Sequence, residues 1–319
     1  MTQPLRIAIV GTGGVGGYFG ARLAQAGHQV HFLARGDHLH ALQTSGLTVH
    51  SIRGDITLPA VAATDNPATI GPVDLILVTV KAWQVAAAAT TLAPMIGYNT
   101  MIIPLQNGVE AIDLLASVID RSHLLGGLCW IVSFIEAPGV IRHTGVEPRI
   151  VFGELNAPTS PRAEHLQHMF LHAGITQVDL VTDIQAAIWE KFLFIASVSG
   201  VGAVTQMPIG ITRQIPQTRQ MIVQAIEEII NLAHKRQIRL PTDIFERTMA
   251  FIDGMPPHNT FSMQRDIAQG RPSELEAQNG AVVRLGHATG LEVPLHTVLY
   301  ASLLPREQQA RGQLTPPAH

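Results

Sequence analysis

The stretch Arg6-Ile7-Ala8-Ile9-Val10-Gly11-Thr12-Gly13-Gly14-Val15-Gly16 decides the fold. Its apolar, β-branched start predicts a buried strand over 6–10, and the glycines after it predict a tight turn into a helix over 14–26. In such a turn Gly11 permits the bend, Gly13 lets the backbone approach a pyrophosphate, and Gly16 lets the helix pack closely on the sheet. The helix N-terminus then offers free N–H groups to phosphate oxygens. Thr12, Gly14 and Val15 complete this candidate cofactor-binding set.

Working outward, residues 29–34 read as a second strand that Arg35 closes. Sites for an unphosphorylated ribose carry Asp or Glu here, which hydrogen-bonds the 2′-hydroxyl. An arginine offers a planar, permanently charged fork suited to a 2′-phosphate, so the expected cofactor is NADP(H).

The chain has 319 residues, 46% hydrophobic and 14% charged, a balance that excludes a disordered protein and leaves room for two domains. A net charge of −3 without a basic run removes the electrostatic basis for nucleic-acid binding. No uncharged apolar run reaches transmembrane length, and residues 1–4 are too short for a signal peptide, so neither a membrane nor export is expected. The single cysteine, Cys129, cannot form an internal disulfide and reads as a small buried hydrophobe in a reducing, cytoplasmic setting. The expected partners are a small-molecule substrate and a second copy of the chain, as a homodimer.

Further strands are predicted at 74–80, 100–105, 124–132, 140–143 and 149–152, with helical stretches between the first of them and a hairpin-type turn at Pro138-Gly139. From Thr182 the strand pattern stops. Helices are predicted over 184–204, 216–236, 242–251 and 273–289, with Ser273 as an N-cap, Glu276 as its capping-box partner and Gly290 as a C-cap before Pro294. The fold class is α/β: a doubly wound dinucleotide-binding domain over 1–182, then a helical substrate and catalytic domain over 183–319. Residues from about Gln308 are expected to form a loose tail.

His165, His168 and His172 share one helical face at i, i+3, i+7, but no cysteine accompanies them, and they read as a solvated face with no metal site. Glu227-Glu228 reads as a helical surface turn, and Trp83 as loop packing near the cofactor.

Taken together, the glycine turn with Arg35, Val78-Thr79-Val80-Lys81-Ala82-Trp83-Gln84, Pro104-Leu105-Gln106-Asn107-Gly108, Trp189-Glu190-Lys191 and the span from Ser262-Met263 to Glu274 resemble the ketopantoate reductase (2-dehydropantoate 2-reductase) family. The resemblance runs through nearly the whole chain in order. It implies a Rossmann domain followed by an all-helical domain of the 6-phosphogluconate-dehydrogenase-like type, and NADPH-dependent reduction of ketopantoate to pantoate, on the route to pantothenate and coenzyme A. By position it implies Lys191 as the catalytic lysine and Glu274 as its paired glutamate. Asn107, Ser199 and Ser262 are implied at the substrate; Lys81, Gln84 and Asn259, with Asn107 and Glu274, at the cofactor.

The residues agree with that chemistry. Reduction of a 2-keto acid develops negative charge on the ketone oxygen, which calls for a positioned proton donor. Lys191 lies among Trp189, Phe192, Leu193 and Phe194, where an ammonium is costly unless it faces a polar site; the alternative is a snorkelling lysine with its head in water. The sequence also departs from the family. Where family members carry asparagines four and eight residues after the lysine, this chain has Ile195 and Ser199, and an isoleucine cannot hydrogen-bond a hydroxyl. The departure favours another small 2-keto or 3-keto acid as the alternative substrate. A non-catalytic NADP(H) redox sensor is the rival from another class; loss of Lys191 or Glu274 would suggest it, and both are present.

Overall fold

A computed structural model describes residues 4–156 and 158–314. They divide into two compact units, one comprising the residues up to Gln106 and Ala111–Ile184, the other Asn107–Glu110 and the residues from Gln185 onward.

The first unit runs β1 (Arg6–Val10), α1 (Gly14–Gln25), β2 (Gln29–Leu33), α2 (Gly36–Ser45), β3 (Leu47–Ser51), β4 (Ile56–Leu58), β5 (Ala62–Thr64), β6 (Val73–Val78), α3 (Val85–Ala89), β7 (Ile96–Pro104), α4 (Ala111–Ala116), β8 (Leu125–Ala137), β9 (Val140–Glu154), α5 (Pro161–His172) and β10 (Gln177–Leu180). Strands β5-β2-β1-β6-β7 form a parallel sheet in that order. Its central strand is apolar from Ile7 to Val10 because both faces are covered there: Ile7 and Ile9 join one core with Phe19 and Phe32, while Ala8 and Val10 join another with Ile76 and Val85. Burying each Ile or Phe side chain contributes about 1.5–3 kcal/mol, so β1 anchors the glycine turn rigidly. A second sheet, β10-β9-β3-β4 with β8 antiparallel to β9, packs its own apolar residues into the first of these cores. The two segments predicted at 140–143 and 149–152 are one strand, and Pro138-Gly139 forms the hairpin turn before it.

The second unit is helical: α6 (Ile184–Thr205), α7 (Ile209–Thr212), α8 (Pro216–Lys235), α9 (Ile244–Gly254), α10 (Ser262–Ala268), α11 (Asn279–Thr289) and α12 (Pro294–Ala310). By length and composition α6 is apolar enough to cross a membrane, but 72% of its most apolar window is buried inside the protein, as in a core helix.

Three expectations are corrected here. Residues 274–278 form a bend and turns, and the helix predicted from Ser273 starts at Asn279. Ser273 starts no helix: its N–H and hydroxyl donate to the buried carboxylate of Glu307, and its Oγ accepts from the Leu275 N–H inside the turn. Gln308 and Gln309 lie in α12, which continues through Pro305 to Ala310, so no loose tail begins there; residues 315–319, with both remaining prolines, lie outside the described residues. Glu228 is buried, not on a surface turn. It accepts from the N–H groups of Leu295 and His296 and from His296 Nδ1, joining α8 to the first turn of α12.

Burial alone would raise the Glu228 carboxyl, but the hydrogen bonds from the His296 ring and from the two backbone amides outweigh it and hold the group below the usual carboxylate range. A depressed carboxyl stabilises the fold above its ordinary pKa and loses that contribution as pH falls through the depressed value. We therefore expect Glu228→Gln to lose about 1–3 kcal/mol near neutral pH, with the gap to wild type closing in acid. Thermal unfolding of both proteins across an acid series measures this; a gap that stays constant with pH would contradict it.

Candidate active site

In the first unit the site is built at the C-terminal end of β1. Gly11 adopts φ +102°, and both its N–H and that of Thr12 donate to the Leu33 carbonyl of β2. The Thr12 hydroxyl also goes to that carbonyl, so Thr12 ties the turn to β2. At Gly16 a side chain would collide with the Gly11 carbonyl and Thr79, whereas around Gly13 there is open space. Among the described residues, the N–H groups of Gly14, Val15 and Gly16 donate to no backbone acceptor. Three free donors beside an open glycine form a cradle that fits a pyrophosphate.

Two supports of this turn escaped the sequence reading. The Thr79 hydroxyl donates to the Gly11 carbonyl at 2.8 Å, and the buried Gln106 amide donates to the carbonyls of Val78 and Val80 at 2.8 and 2.9 Å. Both lie in the quoted segments, but only the fold shows that a hydroxyl 68 residues away locks the bend.

Arg35 is exposed at the N-cap of α2, and among the described residues its guanidinium has no hydrogen-bond or ion-pair partner. A positive fork left unpaired beside a dinucleotide turn fits a phosphorylated ribose. Lys81 and Gln84 follow β6 in a short 3-10 turn, where the Gln84 side chain accepts from the Lys81 N–H and the Lys81 ammonium stands 5.8 Å above the Trp83 ring.

In the helical unit, Asn107 Nδ2 donates to Glu274 Oε2 at 2.9 Å, joining side chains 167 residues apart. Glu274 is 6% exposed and Lys191 8% exposed. A snorkelling lysine keeps its head in water, so this degree of enclosure contradicts that reading of Lys191. Lys191, Ile195 and Ser199 follow at i, i+4, i+8 on α6, with Trp189 and Phe192 in edge contact beside them. Ser199 is wholly enclosed, and its hydroxyl has no partner among the described residues. It offers no surface to a ligand in this conformation, unlike Ser262, which is half-buried at the start of α10. Asn259 lies in the loop before α10, its carbonyl accepting from the Ile209 N–H. Glu276, expected to cap a helix, instead accepts from Tyr300 and Arg284. Burial, with the hydrogen bond to Glu276, pushes the Tyr300 hydroxyl up to about 12, so it remains a donor.

His165, His168 and His172 are exposed on α5, and no group of three metal-ligating side chains occurs among the described residues.

Comparison with known families places this geometry. The family model described as Ketopantoate reductase PanE/ApbA matches residues 7–157, and its C-terminal counterpart matches 183–307. The chain belongs to the ketopantoate reductase family. It is an oxidoreductase of the class that acts on a CH–OH group. Among ketopantoate reductase relatives, a 2-dehydropantoate 2-reductase of Nostoc sp. is 30% identical, over 97% of this chain and 98% of its own. An uncharacterized oxidoreductase of Bacillus subtilis is also 30% identical, over 94% and 98%. A solved ketopantoate reductase of Ralstonia eutropha has a TM-score of 0.87 at 30% identity, covering 96% of this chain and 99% of its own. A D-mandelate dehydrogenase solved with NADH and anilino(oxo)acetate shares the fold, with a TM-score of 0.87 at 20% identity.

Proposed function

We propose that this protein is an NADPH-dependent reductase of a small branched 2-keto acid, with 2-dehydropantoate as the first candidate and pantoate, a precursor of pantothenate and coenzyme A, as the product. The observation that carries the reading is the Asn107–Glu274 hydrogen bond in the same unit as an enclosed Lys191. A carboxylate, a carboxamide and an ammonium drawn from distant parts of the sequence make the kind of polar set that recognises and protonates a keto acid. The relatives named 2-dehydropantoate 2-reductase, which align over almost their entire length, support the same substrate class.

The free N–H groups of Gly14 to Gly16 would hold the pyrophosphate and Arg35 the 2′-phosphate, with Lys81 and Gln84 contributing from the loop after β6. Bound NADPH supplies the hydride that reduces C2 of the acid. Lys191 donates a proton from Nζ to the ketone oxygen as negative charge develops there, which yields the hydroxyl, and the lysine is reprotonated from solvent. Glu274 stabilises the charged form of the lysine and orients Asn107. Asn107 and Ser262 bind the carboxylate end of the acid, and Asn259 supports the cofactor.

Ile195 decides between substrates. A site that hydrogen-bonds a substrate hydroxyl rejects the analogue lacking it by about 10⁴–10⁵-fold, whereas an apolar wall discriminates by about 10²-fold or less. Ile195 is half-buried on the Lys191 face and can accept nothing from a 4-hydroxyl. We expect kcat/KM for ketopantoate to exceed that for α-ketoisovalerate by about 10²-fold or less, and the ratio to grow in Ile195→Asn. A wild-type ratio near 10⁴ would remove Ile195 as a determinant. A small ratio favours a less hydroxylated keto acid as the substrate.

A further inference from the structure

We propose that Arg284 is a positioning residue for this site, acting by tying the segment that carries Asn107 to the turn that carries Glu274. The inference rests on the reading of those two residues given above, and deepens it.

The 107–110 segment belongs with the helical unit although the residues on both sides of it belong with the other. Its contacts show what keeps it there. Gly108 has φ +100°, and a Cβ at that position would press on the Ala277 carbonyl, so the backbone lies directly on the 274–278 turn. Arg284 Nη2 donates to Glu110 Oε2 at 2.7 Å and to the Glu276 carbonyl at 2.9 Å, while Nη1 donates to Glu276 Oε2 at 2.8 Å. One guanidinium therefore bonds a residue three places after Asn107 and a residue two places after Glu274.

The turn is fixed independently of Arg284. Ser273 is bonded to Glu307, Leu275 is fully buried with Met263 and Leu303, and Glu276 receives the Tyr300 hydroxyl. Among the described residues, the 107–110 segment has no second set of side-chain hydrogen bonds beyond the Asn107 amide, only the packing of Gly108 on Ala277. Loss of Arg284 should therefore free the Asn107 side of the pair and leave the Glu274 side in place.

Exposed ion pairs add little to stability, and the Arg284 and Glu276 side chains are 48% and 40% exposed. Misplacing a substrate-contacting group by about an ångström is far more damaging to catalysis. A positioning role thus predicts a loss of rate with little loss of stability.

The test combines hydrogen exchange with a double-mutant cycle. In Arg284→Met, amides of 107–111 should exchange faster, Tm should stay near wild type, and kcat/KM for the keto acid should fall about tenfold. Glu110→Gln should do the same to a smaller degree, and Arg284→Lys, which has no fork, should lie between. If Arg284 acts through Asn107, Arg284→Met should have no further effect in an Asn107→Ala background. Equal effects in both backgrounds, or unaltered exchange and rate in Arg284→Met, would overturn the proposal. Full activity of Asn107→Ala alone would instead show that the reading of the site fails, and the positioning role with it; the exchange result would still report whether Arg284 holds the segment.

Discussion

Lys191→Ala is expected to lower kcat by about 10²–10⁴-fold, the usual contribution of a positioned general acid, while NADPH binds as in wild type. The two effects separate because the cofactor residues Gly11 to Gly16 and Arg35 lie in one unit of the chain and Lys191 in the other. Lys191 is enclosed, so circular dichroism and a thermal melt should accompany the kinetics. A folded Lys191→Ala protein that binds NADPH and turns over within a few-fold of wild type would dispose of the proton-donor role.

Reversing the charge at Arg35 should have the next largest effect. The guanidinium is exposed and unpaired among the described residues, so it can engage a ligand without first breaking a bond within the protein. Charge-assisted hydrogen bonds contribute about 1.5–3 kcal/mol each, which sets a preference for NADPH over NADH of at least about tenfold for a single bond and more for a bidentate one. In Arg35→Asp the carboxylate repels the 2′-phosphate and can accept from a 2′-hydroxyl, so the ratio of kcat/KM values for the two cofactors should narrow or reverse. Wild-type protein that uses NADH as well as NADPH would show that Arg35 does not read the phosphate.

The start of the chain was legible because its signals are local. The strand, the glycine turn and the helix 14–25 each follow from residues within a few positions of one another, and the long helices 184–205 and 216–235 carry continuous patterns. Strands β4 and β5 have three residues each, too few to show a period, and Gly145 with Pro148 interrupts the pattern of β9, which then reads as two pieces. The error at Ser273 is more informative. Serine followed three places on by glutamate is a local capping signature, but a carboxylate 34 residues away takes the serine and an arginine and a tyrosine take the glutamate. The Glu227-Glu228 pair misled for the same reason: the helix N-terminus that makes burial of Glu228 tolerable lies 67 residues further on. At the site, the resemblance to the family pointed to Lys191, Glu274 and Asn107, but the bond between the last two depends on the 107–110 segment joining the helical unit. Nothing in its composition announces that step.

The central claim, that NADPH reduces a small branched 2-keto acid here, is tested most directly by steady-state kinetics of the purified protein with NADPH against a panel of 2-keto acids that includes ketopantoate and α-ketoisovalerate. The account predicts NADPH oxidation with each branched acid, at kcat/KM values within about 10²-fold of each other, and the reverse reaction from the corresponding 2-hydroxy acids with NADP. Absence of NADPH oxidation with every member of the panel, from a folded protein that binds NADPH, would contradict it.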